Sequence, residues 1–163
     1  MDRPASAVSL RTEPFGSPGP RWVVARAEEE LVARYEGLDD GELGLTAVMF
    51  DPPDGAFLVA RVDGEPVPPV GGVGVRTVAE EVGEVRRLWV DDSWRGRGVG
   101  RELMTGLEHE ARRLGLSSLI LATGDRQPEA VGLYESAGWQ RLDVDAAGAP
   151  LPPWYLRFSK VIA

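Results

Sequence analysis

The sequence predicts an α/β fold in which strands come first, followed by a strand–helix–strand–helix run and a closing pair of strands. Its 163 residues suit one domain with a substantial core, since 43% of them are hydrophobic. β-prone apolar segments fill much of residues 56–90, and amphipathic helical segments alternate with strands from there on. No repeat or long linker divides the chain, so we expect a single domain over residues 1–163.

The N-terminal part opens with a strand and a helix. Residues 7–15 can form the strand, and a cluster of prolines and glycines up to Pro20 then breaks regular structure. Residues 21–37 predict a helix because apolar residues recur on one helical face. These residues are Val24, Leu31, Tyr35 and Leu38. A second short helix is expected within residues 38–50, before a Pro/Gly turn at residues 51–55.

The remaining chain alternates strands and helices. Strands are predicted over residues 56–62, 71–79, 82–90, 118–123, 139–144 and 154–162, and helices over residues 98–114 and 128–137. The first of these helices has a buried stripe that includes Leu103 and Leu107, and Pro128 suits the first turn of the second. Gly115 and Gly138 follow the two helices, where glycine commonly ends them.

Composition narrows the possible chemistry. The net charge of −8 disfavours general binding to nucleic acid. The lack of cysteine excludes disulfides and thiolate nucleophiles, and the single histidine disfavours a histidine-built metal site, so we expect no metal. No apolar run approaches the ~20 residues of a membrane helix, and residues 1–11 lack the apolar core of a secretory signal. We therefore expect a cytoplasmic protein without a membrane partner.

The most informative segment lies where the predicted strand 82–90 meets the predicted helix 98–114. Three glycines alternate there with three arginines, in the order Arg95, Gly96, Arg97, Gly98, Gly100 and Arg101. Glycine lets backbone N–H groups turn toward one point, and a helix start adds unpaired N–H donors and the positive end of a dipole. The segment therefore predicts a cradle for a phosphate-bearing ligand. It has neither the lysine of a nucleotide-triphosphate loop nor dinucleotide G-x-G-x-x-G spacing.

This segment resembles the diphosphate signature (Q/R)-x-x-G-x-(G/A) of the GNAT superfamily of acyl-CoA-dependent N-acyltransferases. A second signature of that family, L-Y-x-x-x-G-(F/Y/W), is met by Leu133, Tyr134, Gly138 and Trp139. Each motif alone is weakly specific, whereas the pair in this order and on these elements is highly specific. The resemblance covers residues 82–142 well and residues 1–80 only in the order of elements. Asp92 departs from the usual proline, and Gln127 from an asparagine that often contacts the pantetheine arm.

The resemblance implies a mixed, twisted sheet of six or seven strands with helices on both faces. Its central strands, ending at Val90 and Thr123, would splay apart and hold the pantetheine arm of coenzyme A. The implied coenzyme-binding residues are Leu88, Trp89, Val90, Arg95, Gly96, Arg97, Gly98, Val99, Gly100, Arg101, Gln127 and Tyr134. Backbone groups of Leu88 and Val90 would hold the thioester arm, and a main-chain N–H there would face the developing oxyanion.

The implied reaction is direct attack of a primary amine on acetyl-CoA. A lysine-like amine is almost wholly protonated at pH 7, so a proton acceptor is needed. Glu84 is the candidate base, acting directly or through water, and the alternative is a surface or salt-bridged glutamate. Tyr134 is the candidate acid for the leaving thiolate, and the alternative is an aromatic ring packed on helix and sheet. His109 is expected to face solvent, opposite the stripe of its helix.

A reading from another class stays open, namely a domain that binds an acyl-CoA as a sensor or scaffold and transfers nothing. The presence of both Glu84 and Tyr134 favours the enzyme. The acceptor amine would be set by residues 21–50 and the loop at 146–154, and neither segment carries a readable code for a small molecule, a peptide or a protein. A monomer and a homodimer are equally compatible with the sequence.

Overall fold

The computed structural model describes residues 8–34, 47–64 and 67–163. The strands in these ranges are β1 (Val8–Thr12), β2 (Gly55–Val62), β3 (Gly71–Ala79), β4 (Val82–Val90), β5 (Ser118–Gly124), β6 (Gln140–Leu142) and β7 (Tyr155–Val161). The helices are α1 (Pro18–Arg34), α2 (Ala47–Phe50), α3 (Val99–Arg113) and α4 (Pro128–Ser136), and a 3-10 turn over Asp92–Trp94 precedes α3. None of the helices described is long and apolar enough to cross a lipid bilayer.

The strands form one seven-stranded sheet in the order β1-β2-β3-β4-β5-β7-β6. Neighbouring strands pair antiparallel, except that β4 and β5 pair parallel. Parallel neighbours need a crossover, which α3 supplies. The mixed sheet with helices beside it confirms the predicted α/β class and the number of strands.

The parallel pair at the centre of the sheet separates along its length. Only the first residues pair, with Val82, Gly83 and Glu84 of β4 opposite Ser118, Leu119 and Ile120 of β5. Beyond Glu84 the two strands diverge, β4 continuing to Val90 and β5 to Gly124. β5 pairs along its length with β7 instead. The splayed central strands expected from the family resemblance are therefore confirmed, and they leave a gap in the middle of the sheet.

Helices cover both faces of the sheet, as alternating residues of β2 show. Leu58 and Ala60 belong to the core that packs under α3, whereas Phe57 and Val59 belong to a second core that packs under α1. This period-2 alternation between two buried faces is what a central strand requires. The predicted stripe of α3 is confirmed, since Leu103 and Leu107 are fully buried.

The structure corrects the predicted first helix. It begins at Pro18 instead of residue 21, because prolines in a first helical turn lose no hydrogen bond there. Residues 18–20, predicted to break regular structure, therefore form the first turn of the helix. Its buried side chains are Pro20, Val23 and Ala27, whereas Val24 and Leu31 are only partly buried. Tyr35, Leu38 and most of the predicted second helix lie outside the described residues, and α2 falls at the end of the predicted range 38–50.

The predicted strand over residues 139–144 is shorter in the structure. It covers Gln140–Leu142, and Val144 forms only an isolated bridge to Pro150 across the following loop. Trp139 is buried just before the strand, next to the glycine that ends α4. The other predicted elements in the described ranges match within a few residues at each end, where helices and strands commonly fray.

An ion pair anchors the connection between β1 and α1. Arg61 of β2 donates from Nε to Glu13 Oε2 at 2.8 Å and from Nη2 to Glu13 Oε1 at 2.9 Å. A Cβ atom on Gly19 would lie 2.4 Å from Glu13 Oε1, so a larger residue there would displace the ends of the paired side chains. The hydrogen bond from Arg61 holds the pKa of the Glu13 carboxyl below its ordinary value of 4.5. The charged pair therefore stabilises the folded state at pH values above 4.5, the ordinary pKa of the carboxyl.

Glu13→Gln is expected to lower the free energy of unfolding by about 1 kcal/mol at pH 7, since the amide keeps a hydrogen bond but loses the charge. Because the pKa of Glu13 is depressed in the folded state, the parent loses this stabilisation as pH falls through the folded value. Urea unfolding at pH 7 and pH 3 measures the difference, which should shrink at pH 3. The matched control is Glu29→Gln, at an exposed ion pair with Arg26. An equal difference at both pH values would contradict the assignment.

Candidate functional site

The turn between β4 and α3 forms a backbone cradle. Asp91 Oδ1 accepts from Ser93 N at 3.0 Å and shapes the 3-10 turn. Gly96 and Gly98 then take left-handed φ values of +76° and +85°, and α3 begins directly after them. In the described residues no side chain caps the start of α3. Its first N–H groups and the positive end of its dipole can therefore face an anionic ligand.

The glycines of this turn serve two different purposes. A Cβ atom on Gly98 would meet nothing within 4 Å, so the requirement there is its positive φ rather than space. A Cβ atom on Gly100 would lie 3.2 Å from Leu133 Cδ2 of α4. Gly100 therefore allows α3 and α4 to approach each other beside the cradle.

A cleft of about 380 Å³ opens over this cradle and is called the donor cleft below. It brings together ten of the predicted coenzyme-binding residues, namely Leu88, Trp89, Val90, Arg95, Gly96, Gly98, Val99, Gly100, Arg101 and Gln127. Two others lie elsewhere. Arg97 stacks over the Trp94 ring at 5.1 Å and lines a neighbouring groove, and Tyr134 lines the gap between β4 and β5.

The arginines of the cradle already have partners in the protein. Arg95 donates from Nε to the Val90 carbonyl at 2.9 Å, and its Nη1 lies 2.7 Å from Asp92 Oδ1. Its Nη2 is in close contact with Glu30 Oε1 of α1. Arg101 Nη2 donates to Ser136 Oγ of α4 at 2.9 Å. These contacts hold positive charge at the rim of the cradle, where a diphosphate would attract it.

A β-bulge interrupts the pairing of β3 with β4 at the gap. Gly72 pairs with Trp89 and Gly74 with Arg86, so two residues of β4, Arg87 and Leu88, oppose Val73 alone. Arg87 takes a positive φ of +57°. A bulge leaves its extra residue out of the ladder and re-aims the local backbone. No glycine or other turn residue of β4 marks this position, so the pattern of residues in that strand gives no signal for the bulge.

The gap between β4 and β5 encloses a small cavity of about 90 Å³, called the reaction gap below. Leu88 forms part of one wall, Ala122 and Thr123 form part of the opposite wall, and Ala27 of α1 covers one face. The reaction gap shares the lining residues Glu30, Leu88 and Gln127 with the donor cleft, so the two cavities adjoin.

Tyr134 of α4 reaches the reaction gap from the core. Its ring packs against Trp139 at 5.9 Å and Phe158 at 5.7 Å between centroids, and its side chain is buried. Burial raises the pKa of the Tyr134 phenol above its usual value. Tyr134 is thus a packed aromatic residue that also lines the gap, and its role as the acid stays a prediction.

Glu84 is not among the residues that line the reaction gap. Its Oε1 accepts from Arg76 Nε at 3.0 Å and from Arg86 Nη1 at 3.1 Å, and its side chain is mostly buried. The glutamate is therefore salt-bridged, as the alternative interpretation of the sequence has it, and its role as a base stays a prediction. His109 is exposed, as predicted.

Two residues of α1, Glu30 and Arg34, line the donor cleft although the sequence analysis did not select them. Arg34 Nη2 lies 2.5 Å from Glu129 Oε1 at the start of α4, and Arg126 Nη1 donates to the Arg34 carbonyl at 2.8 Å. Helical spacing places Glu30 and Arg34 on the same face as the buried Val23 and Ala27, away from the stripe of Val24 and Leu31 that the sequence predicts. It cannot show that the end of α1 reaches the turn after β4 and the start of α4.

Comparisons with known proteins find similar chains among acetyltransferases. Residues 24–139 match the family described as the acetyltransferase (GNAT) family. An IAA acetyltransferase from Azospirillum brasilense is 42% identical over 89 residues, covering 53% of this chain and 56% of that protein. A mycothiol acetyltransferase from Nocardiopsis dassonvillei is 35% identical over 164 residues, covering 91% of this chain and 48% of that protein. The chain thus spans about half the length of these curated relatives.

A solved structure supports the architecture independently of sequence. A GNAT family acetyltransferase from Elizabethkingia anophelis, with acetyl-CoA bound, superposes with a TM-score of 0.65 at 16% identity. The match covers 95% of this chain and 98% of that one. At such low identity the likeness shows a shared fold.

Proposed function

Because the chain belongs to the acetyltransferase (GNAT) family, we propose that it transfers an acetyl group from acetyl-CoA to a primary amine by direct attack. The observation that carries the proposal is the junction of two cavities. A diphosphate-sized cradle at the start of α3 opens into a gap in the sheet, and Glu30, Leu88 and Gln127 line both. A long ligand with a phosphate end and a reactive end fits this arrangement.

In this proposal the backbone of the cradle binds the diphosphate, and its N–H groups act with the dipole of α3. Arg101 and Arg95 add charge at the rim. The pantetheine arm runs from there past Gln127 into the reaction gap, where unpaired backbone of β4 is available to it. Acetyl-CoA supplies an activated acetyl group as its thioester.

The bulge and Tyr134 would stabilise the two charges that develop during transfer. The backbone N–H of Leu88, out of register with β3, is the candidate donor to the acyl oxygen. The Tyr134 phenol is the candidate donor to the leaving sulfur. Burial raises the pKa of this phenol further above that of an ordinary thiol, which is about 8.5. Complete transfer of the phenol proton to the thiolate is therefore unfavourable. The hydroxyl therefore acts by donating a hydrogen bond to the thiolate.

Glu84 is the proposed proton acceptor for the amine, acting through water because it does not line the reaction gap. Glu84→Gln is expected to lower kcat about tenfold at pH 7, below the ~10²–10⁴-fold range of general acid–base catalysis. The deficit should shrink toward pH 10, where a lysine-like amine loses its proton to solvent. Steady-state rates of both proteins across this range measure it, with the exposed Glu80→Gln as control. A deficit that is constant with pH would exclude Glu84 as the base.

The decisive experiment measures free thiol released from acetyl-CoA in the presence of a panel of small-molecule and peptide amines. Amine-dependent release, with the acetylated amine identified by mass spectrometry, supports the enzyme and identifies the acceptor. Tight coenzyme A binding without release for any amine would support the alternative, a sensor or scaffold domain. Absence of coenzyme A binding would contradict both.

A further inference from the structure

One carboxylate lies at the junction of the donor cleft and the reaction gap. Glu30 of α1 lines both cavities, and its side chain is 36% exposed. It is the one acidic residue among the described residues that line the reaction gap, and the two arginines of that lining, Arg86 and Arg87, have carboxylate partners in Glu84 and Glu28. Glu30 is therefore the residue of this lining that can attract a protonated amine.

Glu30 belongs to a line of alternating charges across the mouth of the cleft. Its Oε1 is in close contact with Arg95 Nη2, and its Oε2 lies 4.0 Å from Arg34 Nη2. Arg34 in turn lies 2.5 Å from Glu129 Oε1. The line runs from the turn after β4, across α1, to the start of α4. The Glu30 carboxylate is thus held between two guanidinium groups.

A bound diphosphate changes this balance. It brings several negative charges to the rim of the cradle, and guanidinium groups bind phosphate with strong, often bidentate hydrogen bonds. Arg95 lies at that rim with only Asp92 and Glu30 as carboxylate partners among the described residues. A diphosphate at the rim would therefore compete with Glu30 for the Arg95 guanidinium.

We propose that Glu30 binds the ammonium group of the acceptor, and that diphosphate binding releases it from Arg95 to do so. This inference rests on the proposed function and adds the residue that recognises the acceptor. It assigns the acceptor as a cationic amine, since a neutral amine would gain little from the carboxylate. It also couples the coenzyme site to the amine site, because a coenzyme that frees Glu30 on binding must raise the affinity of the protein for the amine.

Glu30→Gln tests the assignment, with Glu29→Gln as a matched control on the same helix. Glu29 is 65% exposed, pairs with Arg26 and lines neither cavity. For Glu30→Gln we expect KM for the best amine of the panel to rise about tenfold or more, since a hydrogen bond to a charged group is lost. At saturating amine, kcat should change less than about threefold. Coenzyme A affinity, measured by calorimetry, should rise, because its binding no longer has to break the contact between Arg95 and Glu30. Glu30→Asp should recover part of the affinity for the amine.

Coupling is measured by calorimetric titration of the same amine with and without coenzyme A. The parent should bind the amine more tightly with coenzyme A, whereas Glu30→Gln should bind it weakly in both cases. Unchanged KM in Glu30→Gln, or an equal loss of amine and coenzyme affinity, would overturn the assignment while the proposed transferase stands. Release of no thiol by the parent with any amine would overturn the proposed function, and this inference with it.

Discussion

Gly98→Asp is expected to abolish measurable coenzyme A binding while leaving the fold intact. Gly98 takes a φ of +85°, a region that aspartate tolerates better than most side chains, and its Cβ would meet nothing within 4 Å. Aspartate is also a favoured residue at the start of a helix. The variant should therefore fold, but its carboxylate would take the N–H groups of α3 and place negative charge where the diphosphate binds.

The expected effect is a rise of the dissociation constant by more than about 100-fold, or about 2.7 kcal/mol. Isothermal titration with coenzyme A measures it, and thermal unfolding verifies the fold. Gly98→Asn has a similar shape without the charge and should lose less affinity. Gly148→Asp provides a matched control, since Gly148 has the same φ of +85° in an exposed loop and lines none of the three cavities. Unchanged affinity in Gly98→Asp would contradict the proposed diphosphate site.

Tyr134→Phe is expected to lower kcat about 100-fold with little change in the affinity for acetyl-CoA. The ring is buried and packed on Trp139 and Phe158, and phenylalanine keeps that packing while removing only the hydroxyl. Loss of one well-placed hydrogen-bond donor to a developing charge costs about 10²–10³-fold in comparable sites. Because burial raises the pKa of this phenol, the parent should keep the donor across neutral pH.

Steady-state kinetics with the best amine, at saturating acetyl-CoA, measure this loss. Tyr155→Phe is the matched control, since Tyr155 begins β7 opposite Gly124 and is absent from the lining of the reaction gap. A fall in kcat without a change in melting temperature would support a role in transfer. Turnover equal to that of the parent would show that Tyr134 serves packing alone.

Local signals in the sequence were sufficient for the cradle. The positive φ values at Gly96 and Gly98 and the start of α3 at Val99 are short-range consequences of residue type. The second motif likewise marks a helix end at Gly138 with buried aromatics on either side. Such features need no knowledge of distant contacts, so their residues could be selected from the chain alone.

The bulge at Arg87 and Leu88 could not be predicted in this way. β4 reads as a continuous strand, and its extra residue follows from how it registers against β3, which depends on two strands at once. The surroundings of Glu84 likewise could not be predicted from its position in the sequence. Its place on the central strand made it a candidate base, but the packing of Arg76 and Arg86 around it decides that it does not open into the reaction gap.

The α/β order of elements, the turn at Gly98 and the family to which the chain belongs follow from residue patterns along the chain. The position of Glu30, in contact with Arg95 where the donor cleft meets the reaction gap, follows from the folding of distant segments together. The two kinds of feature differ in the sequence distance over which they are set. Backbone conformation follows from neighbouring residues, whereas the approach of α1 to a turn far along the chain is set by burial of Val23 and Ala27 against the sheet.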